Sequence, residues 1–276
     1  MAASIIVADR VTKVFEEGRR DQVVALKDLS LEVTEGEFLC LVGGSGCGKT
    51  TFLNLVAGFL PPTEGVIYLR GRAIAGIEPR AGMIFQSYAL LPWKTVAGNV
   101  EFGPKMKRLP RAERRAIAER FIRMVGLTGF EHFYPGQLSG GMQQRVTLAR
   151  LLAADREVFL MDEPFAALDA MTRQVMQEEL IRIHEQSGKT TVFVTHNIDE
   201  ALILADRIVV MSSRPGRVKA SIRNDLPRPR QVDVQLSPRY LELKTQIWGH
   251  VEEEVRRQIE ATSGTARAQS PAARGH

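Results

Sequence analysis

No stretch of this 276-residue chain is apolar over the roughly twenty residues that a bilayer-spanning helix needs, so attachment to a membrane is expected to come through a partner. The segment Met1 to Asp9 has no basic leader ahead of a signal-peptide core, and no export is expected from it. Cysteine is scarce. Cys40 and Cys47 are the only two, with no histidine cluster near them, too few for a disulfide framework or a zinc site. Cys40 reads as a core residue and Cys47 as a small residue tolerated in a turn, open to alkylating reagents at the mouth of a helix. There is no internal repeat. Charge of neither sign is missing: 25% of residues are charged and the formal net charge is +5, compatible with polyphosphate, a bilayer-facing surface or nucleic acid without choosing among them. The basic stretch Lys105 to Arg123, with Glu113 and Glu119 between its cations, reads as a solvated helix face. With 44% hydrophobic residues, the chain is long enough for one large core with subdomains.

What is present is most specific at Gly43-Gly44-Ser45-Gly46-Cys47-Gly48-Lys49-Thr50, which fits G-x-x-x-x-G-K-[ST]. Glu37 to Val42 before it is an apolar run without polar alternation, as in a parallel strand covered on both faces. Without a Cβ at Gly43, Gly46 and Gly48, the backbone can bend around an anion and aim successive N–H groups at it. The next segment, Thr50 and Thr51 through Gly58, reads as a helix whose positive end faces the same anion. Lys49 is expected to reach β- and γ-phosphates, and the Thr50 hydroxyl to ligate Mg²⁺. A plain glycine-rich turn would not require the Lys-Thr pair at the helix start.

Glu157 to Glu163 is a second buried strand, with two acids at its carboxyl end, where ligands bind in open parallel sheets. Adjacent strand residues point to opposite sides, so Asp162 and Glu163 are expected to do different work. An acid pair merely opening a loop before Pro164 is a poor alternative, because uncompensated charge is costly at the end of a core strand. Thr190 to His196 is a third such strand. A lone histidine at a strand end is more often structural than functional. Ser139-Gly140-Gly141 opens a helix running to Ala154, with Ser139 as its N-cap, which makes a second candidate anion site far along the chain from the first.

Together and in this order, the phosphate-loop motif, Leu138-Ser139-Gly140-Gly141-Met142-Gln143-Gln144-Arg145 and Leu160-Met161-Asp162-Glu163-Pro164 resemble the ATP-binding subunit of an ABC transporter over about residues 5 to 220. The resemblance implies an α/β P-loop NTPase with a RecA-like parallel-sheet core, an N-terminal antiparallel β subdomain and an inserted α-helical subdomain. It also implies ATP and Mg²⁺ as ligands, with Asp162 holding the metal through water and Glu163 polarising the attacking water. His196 falls at the switch histidine that contacts the γ-phosphate. Gln86 falls at the glutamine that senses Mg²⁺ and the attacking water. Asp169, in Ala166-Ala167-Leu168-Asp169, matches the D-loop aspartate, although Ala166 lacks the hydroxyl usual at its position. Phe15 falls where an aromatic stacks on adenine, with a core-facing strand residue as the competing reading. In the family, Ser139, Gly140 and Gly141 of one protomer close on the γ-phosphate held by the other, so that a head-to-tail pair sandwiches two ATP molecules.

The expected organisation is an ATPase domain over 1–226 with its helical subdomain at about 88–154, a linker and C-terminal amphipathic helix over 227–260, and a disordered tail over 261–276. The stripe of that last helix is read as Leu241, Trp248, Val251, Val255 and Ile259. The apolar stretch Tyr88 to Trp93 belongs either to the core of the helical subdomain or to a patch receiving a membrane partner. Leu90 to Val100, Ala167 to Arg173 and Met211 to Arg217 are similar to the nitrate/sulfonate/taurine importer group. That resemblance implies a homodimer or paired ATP-binding subunits on two transmembrane permease subunits, served indirectly by a solute-binding protein. It also implies a place on the cytoplasmic face of the cell inner membrane and no nucleic-acid partner. The alternative is a soluble ABC ATPase acting on nucleic acid or ribosomes. That alternative has weak support in the basic charge and lacks both the coiled-coil insertion and the tandem cassette of such proteins.

Overall fold

The computed structural model describes residues 3–18, 22–85, 88–228, 230 and 232–268, and the description of side chains stops at Arg257. The chain opens with two long antiparallel strands, β1 (Ser4–Phe15) and β2 (Val23–Thr34), followed by β3 (Phe38–Val42), helix α1 (Lys49–Val56) and strands β4 (Glu64–Leu69), β5 (Arg72–Ala73) and β6 (Ala81–Ile84). A helical stretch comes next: α2 (Val96–Val100), α3 (Phe102–Met106), α4 (Arg111–Met124) and α5 (Gly140–Ala154). The core then resumes with β7 (Val158–Asp162), α6 (Ala170–Ser187), β8 (Thr190–Thr195), α7 (Ile198–Leu204), β9 (Arg207–Met211) and β10 (Val218–Arg223), and α8 (Pro238–Ala268) follows.

The strands form a four-stranded sheet in the order β2-β1-β4-β5 and a six-stranded sheet in the order β10-β9-β3-β8-β7-β6. From β9 to β6 the neighbours of the larger sheet are parallel, and β10 closes one edge antiparallel to β9. Every residue of β3, β7 and β8 is buried, which explains why none of them alternates apolar with polar; the buried polar residues Thr190, Thr191, Thr195 and Asp162 fall at the strand ends. The two-residue period of the strands sends alternate side chains into two separate cores. Phe38, Cys40, Phe159, Met161 and Phe193 enter one with residues of α5, α6, α7 and α8. Leu39, Leu41, Val158, Leu160, Val192 and Val194 enter the other with α1 and the antiparallel sheet. The sheet is thus a middle layer, and both thiols are interior: Cys40 is fully buried, which pushes its pKa well up, and Cys47 is buried too. The expectation of an alkylatable Cys47 is therefore corrected.

The helical subdomain packs α4 on α5 through Ala118, Ile122 and Val125, and a Cβ on Gly103 would stand 2.7 Å from Ala154 Cα, so only glycine lets α3 approach this closely. The stretch read as a linker is bound to the core. Arg228 donates to Asp206 at 2.7 Å, and the buried Arg230 guanidinium donates to the Ala205, Asn224 and Leu226 carbonyls. In α8 the buried side is Tyr240, Leu243, Ile247 and Glu254; of the expected stripe Val251 packs against the core, whereas Leu241, Trp248 and Val255 are exposed. The expected face is off except at Val251, because polar residues occupy part of the buried side. The Tyr240 hydroxyl donates to Asp199 at 2.6 Å, and Glu254 is buried among donors. The helix continues to Ala268 where a tail was expected from 261, Ile259 lies beyond the described side chains, and 269–276 lie outside the described residues.

Asp206 links these parts. Burial by itself would raise its pKa, but hydrogen bonds from His184, the Phe38 N–H and Arg228 outweigh that and hold the carboxyl far below the ordinary carboxylate range. The folded pKa is depressed, so the stability it contributes is present above the unfolded value of about 4 and is lost as pH falls below it. Asp206→Asn is expected to lower the urea midpoint at pH 7, with the gap to wild type narrowing as the pH is taken down through the carboxylate range. A gap independent of pH would argue against an ionised Asp206 in this role.

Candidate nucleotide site

The order β3-β8-β7 puts the carboxyl ends of three neighbouring strands side by side, with Val42 level with Thr195 and Asp162 level with Val194. Three segments distant in the chain therefore meet on one edge: the loop Gly43–Gly48, the pair Asp162-Glu163, and His196.

The loop runs directly into α1. Gly48, at φ 95°, caps the helix, and a Cβ there would lie 2.5 Å from Leu26 Cδ2 and 2.9 Å from the Ala25 carbonyl oxygen, so only glycine serves. Lys49 is buried, and its ammonium donates to the carbonyls of Gly43 at 2.8 Å and Gly44 at 3.0 Å, with Cys47 Sγ at 3.6 Å. Ser45, Gly46 and Thr50 are exposed on this edge, and Thr51 is half-buried.

The two acids sit in different surroundings. Asp162 is 3% exposed, and burial raises its pKa against a hydrogen bond from the Thr50 side chain. Glu163 lies just past the end of β7, with Oε1 3.2 Å from Nδ1 of the largely exposed His196. Its φ of 48° is left-handed, a region that L residues enter at a cost of about 1–2 kcal/mol. Backbone and side-chain bonds hold it there: the Glu163 N–H donates to the Val194 carbonyl at 3.0 Å, and Gln144 Nε2 donates to the Glu163 carbonyl at 3.2 Å. Gln144 also accepts from the Ala167 N–H at 3.1 Å, so one buried amide clamps both ends of the bend that carries Glu163. Behind His196, the Thr195 hydroxyl donates to the buried Glu200 at 2.7 Å and accepts from the Asn197 N–H at 3.0 Å. Burial raises the Glu200 pKa, opposed by that hydroxyl and by Arg173, whose guanidinium stands 3.6 Å away and also donates to the Leu168 carbonyl.

The sequence by itself does not point to Gln144, Thr195, Glu200 or Arg173. Gln144 lies within the motif Leu138 to Arg145, but nothing in the sequence tells which backbone its amide reaches. Gln86 lies outside the described residues. Phe15 is 36% exposed, with the Lys13 ammonium 5.4 Å from its ring, so it is no core residue. Ser139 caps α5 by accepting from the Met142 N–H at 3.3 Å, and Asp169 caps α6 by accepting from the Thr172 N–H at 3.0 Å. A Cβ on Gly141 would lie 3.5 Å from the Ala167 carbonyl oxygen, so these two motifs are neighbours. Among the described residues no hydrogen bond joins either motif to the loop Gly43–Gly48.

The donor set fits Mg²⁺. Among the described residues no group of three or more His, Cys, Asp or Glu could form a metal cage. Thr50 and Asp162 instead offer a hydroxyl and one carboxylate, the hard oxygen pair that this ion takes together with waters and substrate phosphates.

A glycine-rich loop on a helix N-terminus, an acid pair and a histidine at adjacent strand ends define a P-loop nucleotide hydrolase. The chain belongs to the ABC transporter family, which it matches over residues 26–166. It is 51% identical over 248 residues to an uncharacterized ABC transporter ATP-binding protein of Methanocaldococcus jannaschii, covering 90% of this chain and 91% of that protein. To the taurine import ATP-binding protein of Roseobacter denitrificans it is 44% identical over 248 residues, covering 87% and 92%. A solved dimeric ATP-binding cassette in a post-hydrolysis state, bound to ADP and Pi, superposes with a TM-score of 0.72 at 34% identity, covering 79% of this chain and 98% of that one. The chain is an ATP-binding, ATP-hydrolysing subunit.

Proposed function

We propose that this subunit powers an importer for a small anionic solute such as nitrate, a sulfonate or taurine. The observation that carries the catalytic half is the meeting of Glu163 and His196, 3.2 Å apart, beside Asp162 and the phosphate loop. In this reading Gly43 to Gly48 cradle the phosphates with backbone N–H groups, Lys49 leaves the loop carbonyls for the β- and γ-phosphates, and Phe15 stacks on the base. Thr50 and Asp162, with Gln86, hold Mg²⁺, which supplies charge neutralisation at the β- and γ-phosphates when bound. Glu163 takes the proton of the attacking water, and His196 orients that carboxylate and meets the γ-phosphate. Ser139 to Gly141 and Asp169 act on the ATP of a second subunit, an assignment supported by the dimeric state of the solved cassette.

The import half is supported by the taurine relative and by the motifs shared with the nitrate/sulfonate/taurine group. Among the described residues no helix is long and apolar enough to cross a membrane. The likeness to an importer's ATP-binding protein supports a peripheral place at the cytoplasmic face of the inner membrane, on two permease subunits. Of the apolar stretch after Gln86, Leu90 packs against the core, while Trp93 is 71% exposed. The buried Asn99 pins the loop, accepting from the Leu91 N–H at 2.9 Å and donating to the Leu91, Lys94 and Thr95 carbonyls. Trp93 thus serves permease docking. Trp93→Ala is expected to leave the melting temperature and basal ATPase rate unchanged while abolishing co-purification with the permease. A loss of about 3–5 kcal/mol in stability, the cost of deleting a core aromatic, would count against docking, as would undiminished assembly.

A further inference from the structure

The turn between β9 and β10 takes no part in the site described above, yet it leans on the phosphate loop. It is closed on itself: the Ser212 N–H donates to the Arg217 carbonyl at 2.9 Å, and the Ser212 hydroxyl donates to Pro215 O and accepts from the Arg217 N–H, each at 3.0 Å. Gly216 lies so near the phosphate loop that a Cβ would stand 2.1 Å from the Cys47 carbonyl oxygen. Arg214 reaches further, donating from Nε to the Gly46 carbonyl at 3.0 Å, and a Cβ on Gly46 would come within 3.0 Å of its Nη2.

The other side of the turn is held by the last helix. The Ser213 N–H and hydroxyl both donate to Glu254 Oε2, at 2.7 and 2.8 Å. Glu254 is 3% exposed, and its other oxygen is taken by Lys219 at 2.8 Å and Arg257 at 3.2 Å. A buried carboxylate satisfied on both oxygens is a fixed point. The Gly46 carbonyl belongs to the same peptide as the Cys47 N–H, whose bond inside the loop, to Gly44 O, is a long 3.4 Å. A guanidinium on that carbonyl polarises the peptide and makes the N–H a better donor to an anion.

We propose that Arg214 raises the phosphate loop's affinity for nucleotide through the Gly46 peptide, and that Glu254 is a positioning residue setting Arg214 in place through Ser213. The last helix thereby tunes ATP binding. This rests on the nucleotide reading of the phosphate loop.

The test is titration of the full chain with a fluorescent ATP analogue and Mg²⁺, alongside thermal melting. Arg214→Ala is expected to weaken binding about fivefold, the scale of a well-oriented exposed charge contact, and Arg214→Lys to recover part of the loss. Glu254→Gln is expected to weaken binding as well, and the double variant to bind no worse than Arg214→Ala alone. Should Glu254→Gln lower the melting temperature, Ser213→Ala replaces it in the cycle, since it deletes one hydroxyl and leaves Glu254 paired with Lys219. Unchanged affinity in Arg214→Ala, or losses that multiply in the double variant, would overturn the proposal. Lys49→Ala is the reference: if it binds nucleotide normally, the reading of the loop itself fails.

Discussion

Glu163→Gln is expected to retain ATP binding while turnover falls by about 10²- to 10⁴-fold, the range for loss of a positioned general base. A neutral amide can still hold a water at this position, but it cannot accept the water's proton. The carboxylate lies 3.2 Å from His196, and its backbone is kept in the left-handed region by the Val194 carbonyl and the Gln144 amide, so the substitution leaves the surrounding geometry in place. With hydrolysis blocked, ATP is expected to hold two subunits together, visible by light scattering. Phosphate release at the wild-type rate would remove Glu163 from the base role.

The second large effect separates binding ATP from closing on it. Lys49→Ala removes the ammonium meant for the β- and γ-phosphates, so nucleotide affinity and hydrolysis are both expected to fall steeply. Ser139→Arg adds bulk and positive charge at the start of α5, at a residue with no hydrogen bond to its own phosphate loop among the described residues. ATP affinity of the isolated subunit is expected to survive this change, while the ATP-dependent pair and its hydrolysis are lost. Measuring affinity and light scattering on both variants decides the matter: an equal drop in monomer affinity would mean that Ser139 acts on its own site.

Much of this was legible in the residues because the chemistry is local. A glycine-rich loop between an apolar run and a helix start needs no tertiary information to read as an anion cradle, since the N–H groups, the absent Cβ atoms and the lysine are contiguous. The buried strands were equally plain: a strand covered on both faces has no polar alternation to confuse with a helix. The last helix was not legible in the same way. Its seven-residue spacing of Leu241, Trp248 and Val255 drew the apolar face to the solvent side, because the buried side includes Tyr240 and Glu254, whose polar atoms are satisfied by Asp199, Ser213 and Lys219 from other elements.

By itself, then, the sequence determined the elements that carry chemistry and the order in which they come. Only the tertiary structure decided which of them meet. Strand β8, more than a hundred residues after β3, lies between β3 and β7, and that insertion brings His196 to Glu163 and both to the phosphate loop. The same holds for Gln144 clamping the Glu163 bend and for Glu254 holding the Arg214 turn. Strand pairing and side-chain hydrogen bonds between distant segments depend on how two cores fill on either side of one sheet, and no periodicity within a single segment encodes them.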